Sequence, residues 1–273
     1  MSNFLADMAT GSSSRAAAIE RTFKAADFDL PVAKIAFSAF DLIAEIKERS
    51  PAVGDLTEFA NDRGARARQY VQGGAAAISV LTEPSRFAGS MQHLEEVVRA
   101  VAGTDVPVMR KDFLVDRKQL LEARAAGASG VLLIVAILSD RQLVDLLACA
   151  REHSLFVLLE AFDDSDSQRI GELLQQAEHA ESAAKRELLV GVNARDLRTL
   201  SIDNARFARL VPLLPESALR VAESGIRTAA DAAAAAALGY QMGLVGSALM
   251  QTANPAVLVN EMLLAGRRAF RAA

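Results

Sequence analysis

Short apolar runs recur along most of the chain at nearly regular intervals. Most of them are continuous apolar runs rather than alternations of apolar and polar residues, which is typical of parallel strands covered on both faces. We therefore interpret them as the strands of an α/β protein. The eight runs, which begin 23 to 34 residues apart, are Leu42–Lys47, Ala76–Leu81, Pro107–Lys111, Gly130–Val135, Phe156–Glu160, Leu188–Asn193, Leu219–Glu223 and Gly243–Gly246.

Segments with helical character separate these runs. Asp116–Gly127 and Ser139–His153 mix apolar with charged residues and end at a glycine and at a basic turn, respectively. Asp231–Leu238 is an alanine-rich helix closed by Gly239. Eight such β-then-α units predict a (β/α)8 TIM barrel, whose typical length is about 250 residues. A doubly wound open sheet is the alternative, but it often has a glycine-rich fingerprint after its first strand, which this chain lacks.

The chain has no linker rich in Gly and Ser or in Pro, which predicts a single domain over residues 1–273. We assign residues 41–273 to the barrel and residues 1–40 to an N-terminal helical extension packed on it. The first residues show no basic segment followed by an apolar run, and glycines interrupt the uncharged stretch 232–250. We therefore expect a cytoplasmic protein that does not span a membrane.

Composition narrows the possible partners. The chain has 30 Lys and Arg against 34 Asp and Glu, a formal net charge of −4, and 5% aromatic residues. Neither an overall basic field nor base-stacking platforms are expected, which argues against a nucleic-acid partner. Cys149 is the only cysteine and the three histidines lack ligand spacing, so we predict no metal site. The leucines beside Cys149 indicate a thiol packed in a helix rather than a nucleophile.

Charged and amide side chains end several of the predicted strands, at the edge where barrel enzymes hold their catalytic groups. Glu45 and Lys47 are two positions apart in the first strand, so they share a side and need partners or water if they face an apolar interior. One charge at a strand end commonly just contacts water, but together these residues form an acid–base set with an anion-binding arginine. The set comprises Glu45, Lys47, Lys111, Glu160, Asn193 and Arg195.

Small residues follow the last two predicted strands. Ser224 and Gly225 come after the seventh strand, and Gly246 and Ser247 close the eighth. The loops after strands 7 and 8 hold a phosphate in many barrels of this type, because backbone N–H groups and a helix start can approach the anion there. Ordinary glycine turns would explain either loop alone, but the pair favours a phosphorylated small-molecule substrate.

Six segments around these strand ends occur in the order found in a known enzyme family. They are Ile43–Pro51 (IAEIKERSP), Ile78–Glu83 (ISVLTE), Arg110–Phe113 (RKDF), Gly191–Leu197 (GVNARDL), Glu223–Ile226 (ESGI) and Leu244–Met250 (LVGSALM). With these segments, roughly residues 40–252 resemble indole-3-glycerol-phosphate synthase. The resemblance implies that 1-(2-carboxyphenylamino)-1-deoxyribulose 5-phosphate closes to an indole with loss of CO₂ and water. This step of tryptophan biosynthesis needs no metal or organic cofactor.

The resemblance also implies roles for the charged set. Lys111 resembles the general acid that activates the ribulose carbonyl, and we expect neighbouring cations to lower its pKa. Glu160 resembles the carboxylate that handles protons near the anilino nitrogen, and Arg195 the residue that meets the substrate carboxylate. The remaining members, which would assist dehydration and position the hydroxyls, are Glu45, Lys47 and Asn193. Either lysine could protonate the departing hydroxyl.

The resemblance further implies which residues bind the rest of the substrate. Phe87 and Phe113 match the apolar walls around the aromatic ring. The phosphate cradle is matched by Ser50, Ser224, Gly225, Gly246 and Ser247. The departures from the family pattern are Ala52–Val53, Ala194, Ala161–Asp163 and a longer segment, Glu178–Glu187, expected to be a solvated helix extension.

Two other functions fit parts of the sequence. A phosphoribosylanthranilate isomerase is a related barrel, but its acid–base pair is a Cys and an Asp, whereas Cys149 falls in the middle of a predicted helix. A barrel that only binds a phosphosugar or a partner would be expected to lose its buried charges, because they are costly without a function. Glu45, Lys47, Lys111 and the other members of the set are all present.

Overall fold

Eight parallel strands close into a barrel in this computed structural model, which describes residues 3–50, 54–56, 62–196 and 201–272. Each strand pairs with the next along the chain, and the eighth pairs with the first. The predicted TIM-barrel fold is thus confirmed. The strands are β1 (Asp41–Ile46), β2 (Ala77–Leu81), β3 (Val108–Lys111), β4 (Gly130–Ile134), β5 (Phe156–Ala161), β6 (Leu188–Asn193), β7 (Leu219–Glu223) and β8 (Met242–Val245).

The predicted strand limits are correct to within a residue. Lys47 and Gly246, assigned to strand ends from the sequence, lie just beyond β1 and β8. Val135 belongs to a short 3₁₀ helix, Val135–Ile137, instead of the fourth strand. An antiparallel pair outside the barrel, Arg49–Ser50 with Gly54–Asp55, follows β1. The departure Ala52–Val53 lies outside the described residues, as do Pro51 and Leu197 of the matching segments.

Helices surround the barrel and join its strands. Asp116 and Ser139 cap the helices predicted after them, because each side chain accepts a hydrogen bond from a backbone N–H of the first turn. Thr228 caps the alanine-rich helix, which therefore begins two residues before its predicted start. The helices are α1 (Asn3–Ala17), α2 (Arg63–Gly73), α3 (Pro84–Phe87), α4 (Met91–Ala100), α5 (Arg117–Ala125), α6 (Asp140–Glu152), α7 (Asp164–Leu173), α8 (Ala177–Ala184), α9 (Ala205–Leu210), α10 (Ala229–Ala237), α11 (Ser247–Gln251) and α12 (Pro255–Ala272).

Two segments that the sequence assigned to helices are only partly as expected. The N-terminal extension is helical over α1 and a 3₁₀ turn, Ala25–Phe28, and is otherwise irregular up to β1. Helix α8 covers most of the longer segment Glu178–Glu187, but it is not solvated all round, since His179 and Ala183 are buried.

The strand period divides the buried side chains into two clusters. Ile43, Met109, Leu158 and Val221 belong to a cluster inside the barrel. Leu42 and the other residues of opposite parity pack outwards against the helices in a larger cluster. The interior cluster fills the lower part of the barrel, so the polar side chains near the carboxyl ends of the strands lie on an apolar base. No helix among the described residues is long and apolar enough to cross a bilayer.

Candidate active site

A cavity of about 400 Å³ opens at the carboxyl ends of the barrel strands. Of the thirteen residues predicted to form the site, eleven line this cavity: Glu45, Lys47, Ser50, Phe87, Lys111, Asn193, Arg195, Ser224, Gly225, Gly246 and Ser247. The other two, Glu160 and Phe113, lie behind the lining residues and contact them. The structure thus brings the residues chosen from the sequence to one place.

Two lysines share one buried carboxylate at the floor of the cavity. The Nζ atom of Lys47 is 2.5 Å from Oε1 of Glu45, and that of Lys111 is 3.5 Å from Oε2. Burial opposes ionisation of Glu45, but the two ammonium groups outweigh it and lower the pKa of this carboxyl. Glu45 is therefore held as a carboxylate that links the two candidate acids.

A second carboxylate joins Lys111 to the end of β6. Nζ of Lys111 is 4.0 Å from Oε2 of Glu160, and the side-chain amide of Asn193 donates to the same oxygen at 3.2 Å. The amide oxygen of Asn193 accepts from the backbone N–H of Arg195 at 2.9 Å. The polar groups of four strands are therefore connected in one chain of contacts from Lys47 to Arg195.

Glu223, which is not among the predicted site residues, is the third carboxylate of this cluster. It ends β7 opposite Asn193, is 1% exposed and lines the cavity, and neither carboxyl oxygen has a hydrogen-bond partner among the described residues. Burial and the nearby carboxylate of Glu160 raise the pKa of Glu223 well above its usual range, which favours the protonated acid. Its position at a strand end, with the same parity as Val221 inside the barrel, was the signal that could have identified it.

The expectation that cations lower the pKa of Lys111 is wrong. Its neighbours are carboxylates of three strands, Glu45, Glu160 and Glu223. Burial favours loss of the proton, but these three groups outweigh it and raise the pKa of Lys111 above its usual range. Lys111 is consequently held as an ammonium group at neutral pH, the form that a proton donor needs.

Two loops on one side of the cavity bring the backbone close to the space above the lysines. A side chain at position 246 would overlap Oε1 of Glu45 and place its Cβ 2.7 Å from Nζ of Lys47, so any residue larger than glycine would displace these groups or the loop. After β7, Ser224 and Gly225 have positive φ angles of 66° and 79°. A serine in this left-handed conformation is uncommon and strained, as residues at functional sites often are. Ser50 and Ser247 complete this side.

An aromatic wall lies on another side of the cavity. The rings of Phe87 and Phe113 are 6.3 Å apart between centroids, and Phe4 of α1 meets Phe113 edge-on at 6.1 Å. Phe4 lines the cavity as well, although no sequence pattern predicts a site residue in the N-terminal helix. The wall is suited to a planar apolar group, since offset and edge-on contacts between rings are favourable.

Cys149 lies outside this site. It is buried in α6, and burial raises the pKa of its thiol to about 11. A buried thiol of this kind is inert at neutral pH. Within the described part of the chain, no three His, Cys, Asp or Glu side chains are arranged to hold a metal ion.

The charges of the cavity are suited to an anionic ligand. Lys47, Lys111 and Arg195 are cations, and burial lowers the pKa of Arg195, so its charge is incompletely hydrated. Glu45 is ionised, whereas the protonated form of Glu223 is favoured. A carboxylate or phosphate would therefore find cations in a partly dry cavity, where their attraction is stronger than in water.

Comparisons with known proteins agree with this geometry. The family model of indole-3-glycerol phosphate synthase matches residues 8–262. The indole-3-glycerol phosphate synthase of Parafrankia sp. (strain EAN1pec) is 45% identical over 225 residues, 82% of this chain and 78% of that protein. That of Nocardioides sp. (strain ATCC BAA-499 / JS614) is 46% identical over 221 residues, 81% and 79% of the two chains.

Solved structures of lower sequence identity share the fold. The 3-hexulose-6-phosphate synthase of Salmonella typhimurium superposes with a TM-score of 0.61 and 16% identity, over 85% of this chain and 99% of that one. The thiamine phosphate pyrophosphorylase of Pyrococcus furiosus gives 0.55 and 13%, over 85% and 96%. At such identities the likeness extends to the barrel alone.

Proposed function

Because the chain belongs to the indole-3-glycerol phosphate synthase family, we propose that the cluster around Glu45 carries out the two proton-dependent stages of that reaction. The enzyme is a carboxy-lyase of tryptophan biosynthesis. Its substrate, 1-(2-carboxyphenylamino)-1-deoxyribulose 5-phosphate, closes to an indole. Ring closure is followed by loss of CO₂ and then of water.

In this proposal the substrate lies across the cavity. Its phosphate occupies the side formed by Ser50, Ser224, Gly225, Gly246 and Ser247. Its aromatic ring packs on Phe87, which Phe113 supports from behind, and its carboxylate meets Arg195, whose guanidinium is suited to a planar anion. Binding at three points would hold the ring carbon that bears the carboxylate against the ribulose carbonyl, which lowers the entropic part of the barrier.

Lys111 is the proposed acid of ring closure. As the ring carbon attacks the carbonyl carbon, the carbonyl oxygen gains negative charge and takes a proton from Nζ of Lys111. The carboxylates of Glu45 and Glu160 support this role because they keep Lys111 protonated before the reaction. Loss of CO₂ from the same ring carbon then leaves a hydroxyl group on the newly closed ring.

Dehydration needs a second acid and a base. We assign protonation of the departing hydroxyl to Lys47, because its ammonium group is held 2.5 Å from Glu45 and does not depend on the proton that Lys111 has already given up. Glu160 would accept the proton lost from the ring carbon next to the nitrogen, so that departure of the hydroxyl as water leaves the C=C bond of the indole. Asn193 would hold Glu160 in place through the 3.2 Å hydrogen bond.

The observation that carries this proposal is the Glu45 carboxylate shared by two lysines in the cavity. Single-turnover reactions with excess enzyme test it, because CO₂ release from carboxyl-labelled substrate and indole fluorescence report different stages. Lys111→Met should lower the rates of both CO₂ release and indole formation roughly 10³-fold. Lys47→Met should release CO₂ while indole fluorescence stays low.

Lys185→Met is the matched control, because Lys185 pairs with Glu181 on the surface, and it should leave both rates unchanged. Indole formation at the normal rate in Lys47→Met would contradict the second role and leave Lys111 as the acid of both stages. Normal turnover in Lys111→Met would contradict the proposal as a whole. A cytoplasmic location belongs to the same proposal and is supported by the biosynthetic reaction.

A further inference from the structure

One arginine outside the cavity binds the main chain of β6 where it leaves the barrel. Arg206, in α9, is 8% exposed. Its Nη1 donates to the carbonyl oxygens of Asn193 at 2.7 Å and of Arg195 at 3.3 Å. Among the described residues no carboxylate forms an ion pair with Arg206, and its Nε has no hydrogen-bond partner. Burying a cation without a carboxylate partner costs free energy, so we ask what function the two contacts with carbonyl groups serve.

The two carbonyl groups belong to residues whose side chains enter the candidate site. Asn193 donates to Glu160, and Arg195 lines the cavity. The amide oxygen of Asn193 also accepts a hydrogen bond from the backbone N–H of Arg195, which links the two residues directly. We infer that Arg206 is a positioning residue that fixes the end of β6 and thereby orients the Asn193 amide towards Glu160. This inference rests on the proposed role of Asn193.

Packing of helix α9 against the barrel holds Arg206 in position. The next residue, Phe207, packs edge-on against the ring of Tyr240, with centroids 5.3 Å apart. The hydroxyl of Tyr240 donates to the carbonyl of Phe207 at 3.0 Å, and both rings are buried. A guanidinium held by a packed helix restrains the strand end more tightly than the loop residues could alone, since precise sites need rigid support.

The same chemistry occurs at a place remote from the cavity, which provides a matched control. Arg124 of α5 is 7% exposed, and its Nη2 donates to the carbonyl oxygens of Phe28 and Leu30 at 2.6 and 2.7 Å. These carbonyls belong to the N-terminal extension, at the last residue of its 3₁₀ turn and just after it. Loss of the guanidinium should therefore destabilise the protein in both variants, but only loss of Arg206 should disturb the chemistry.

The test is a double-mutant cycle measured by kcat at a temperature where every variant is folded. Arg206→Met should lower kcat at least tenfold, while Arg124→Met should stay within twofold of the unmodified enzyme. In an Asn193→Ala background the effect of Arg206→Met should shrink to within about twofold, because the amide that it orients is gone. If Arg206→Met does not fold, Arg206→Lys keeps the charge with fewer donors and should show a smaller loss with the same non-additivity.

The outcomes separate this inference from the proposed function. An impaired Asn193→Ala with a normal Arg206→Met overturns the inference alone. So does a loss from Arg206→Met that is equal in both backgrounds, because it indicates general stabilisation. A fully active Asn193→Ala contradicts the role proposed for Asn193, and with it the route through which Arg206 would act.

Discussion

Replacing Gly246 with alanine tests whether the contact between Glu45 and Lys47 is needed for turnover. The backbone of Gly246 has φ −118° and ψ −79°, outside the left-handed region, so strain at positive φ is not the obstacle. Space is the obstacle. The new methyl group would overlap a carboxylate oxygen of Glu45 and come within 2.7 Å of Nζ of Lys47.

The size of the effect follows from how the overlap can be relieved. Glu45 is 3% exposed and bonded to two lysines, so it cannot swing into solvent. Either its carboxylate or the loop at Gly246 must shift, and overpacking of this kind costs about 1–3 kcal/mol in stability. A displacement of about 1 Å at a catalytic group can lower the rate about 10²-fold. We therefore expect a folded variant with kcat/KM reduced about 10²-fold or more.

Indole fluorescence measures the rate and thermal unfolding measures the stability. Gly171→Ala is the matched control, because a Cβ at that position in α7 meets no atom within 4 Å. It should keep full activity and gain about 0.5–1 kcal/mol, the usual difference between alanine and glycine in a helix. A Gly246→Ala enzyme with kcat/KM within threefold of the unmodified protein would refute the reasoning.

Three further changes test other parts of the structure. Cys149→Ala should keep full activity and lose about 1 kcal/mol of stability, since it only removes a buried sulfur atom; a folded but inactive variant would revive a role for the thiol. Arg195→Lys should raise KM at least tenfold, because lysine cannot bind a carboxylate with two parallel hydrogen bonds; an equal loss of affinity for a substrate analogue without the carboxyl group would contradict this role. Burial raises the pKa of Asp166 from 3.8 to about 6, so the native state holds this proton more tightly than the unfolded chain. The stability that the bound proton contributes is therefore present below pH 4 and is lost as the pH rises through 6. Asp166→Asn should therefore be more stable than the unmodified protein by about 1–2 kcal/mol at pH 8 but not at pH 4, and equal differences in denaturant unfolding at both pH values would exclude this explanation.

The positions of the strands and of most site residues could be predicted because the necessary information is local. A continuous apolar run identifies a buried strand, and the residue at its end must lie at the rim of the barrel. This rule identifies Glu45, Lys111, Glu160 and Asn193. Glu223 satisfies the same rule, but the small residues that follow it, Ser224 and Gly225, indicate a phosphate loop instead of an acid–base group.

Properties that depend on several strands at once could not be predicted in this way. The pKa of Lys111 is raised because β1, β5 and β7 each bring a carboxylate to it, and no short segment contains that information. The position of Phe4 depends on how α1 lies across the barrel. That packing is fixed by contacts over about a hundred residues of sequence, such as Arg15 with Asp112 at 2.6 Å and Ser12 with Gln119 at 2.8 Å.

The segment Arg110–Phe113 shows how the strand period separates catalysis from support within one motif. Lys111 points into the barrel, whereas Arg110 has the opposite parity and lies outside it, bonded to Thr82 and Glu122. Asp112 pairs with Arg110 and with Arg15 of α1. Loss of Arg110 would leave buried acceptors without a donor and so reduce stability, whereas loss of Lys111 would remove the proposed acid. Adjacent charged residues in one family motif therefore have different roles, one structural and one catalytic. The alternation of side-chain direction along the strand shows which of them faces the cavity.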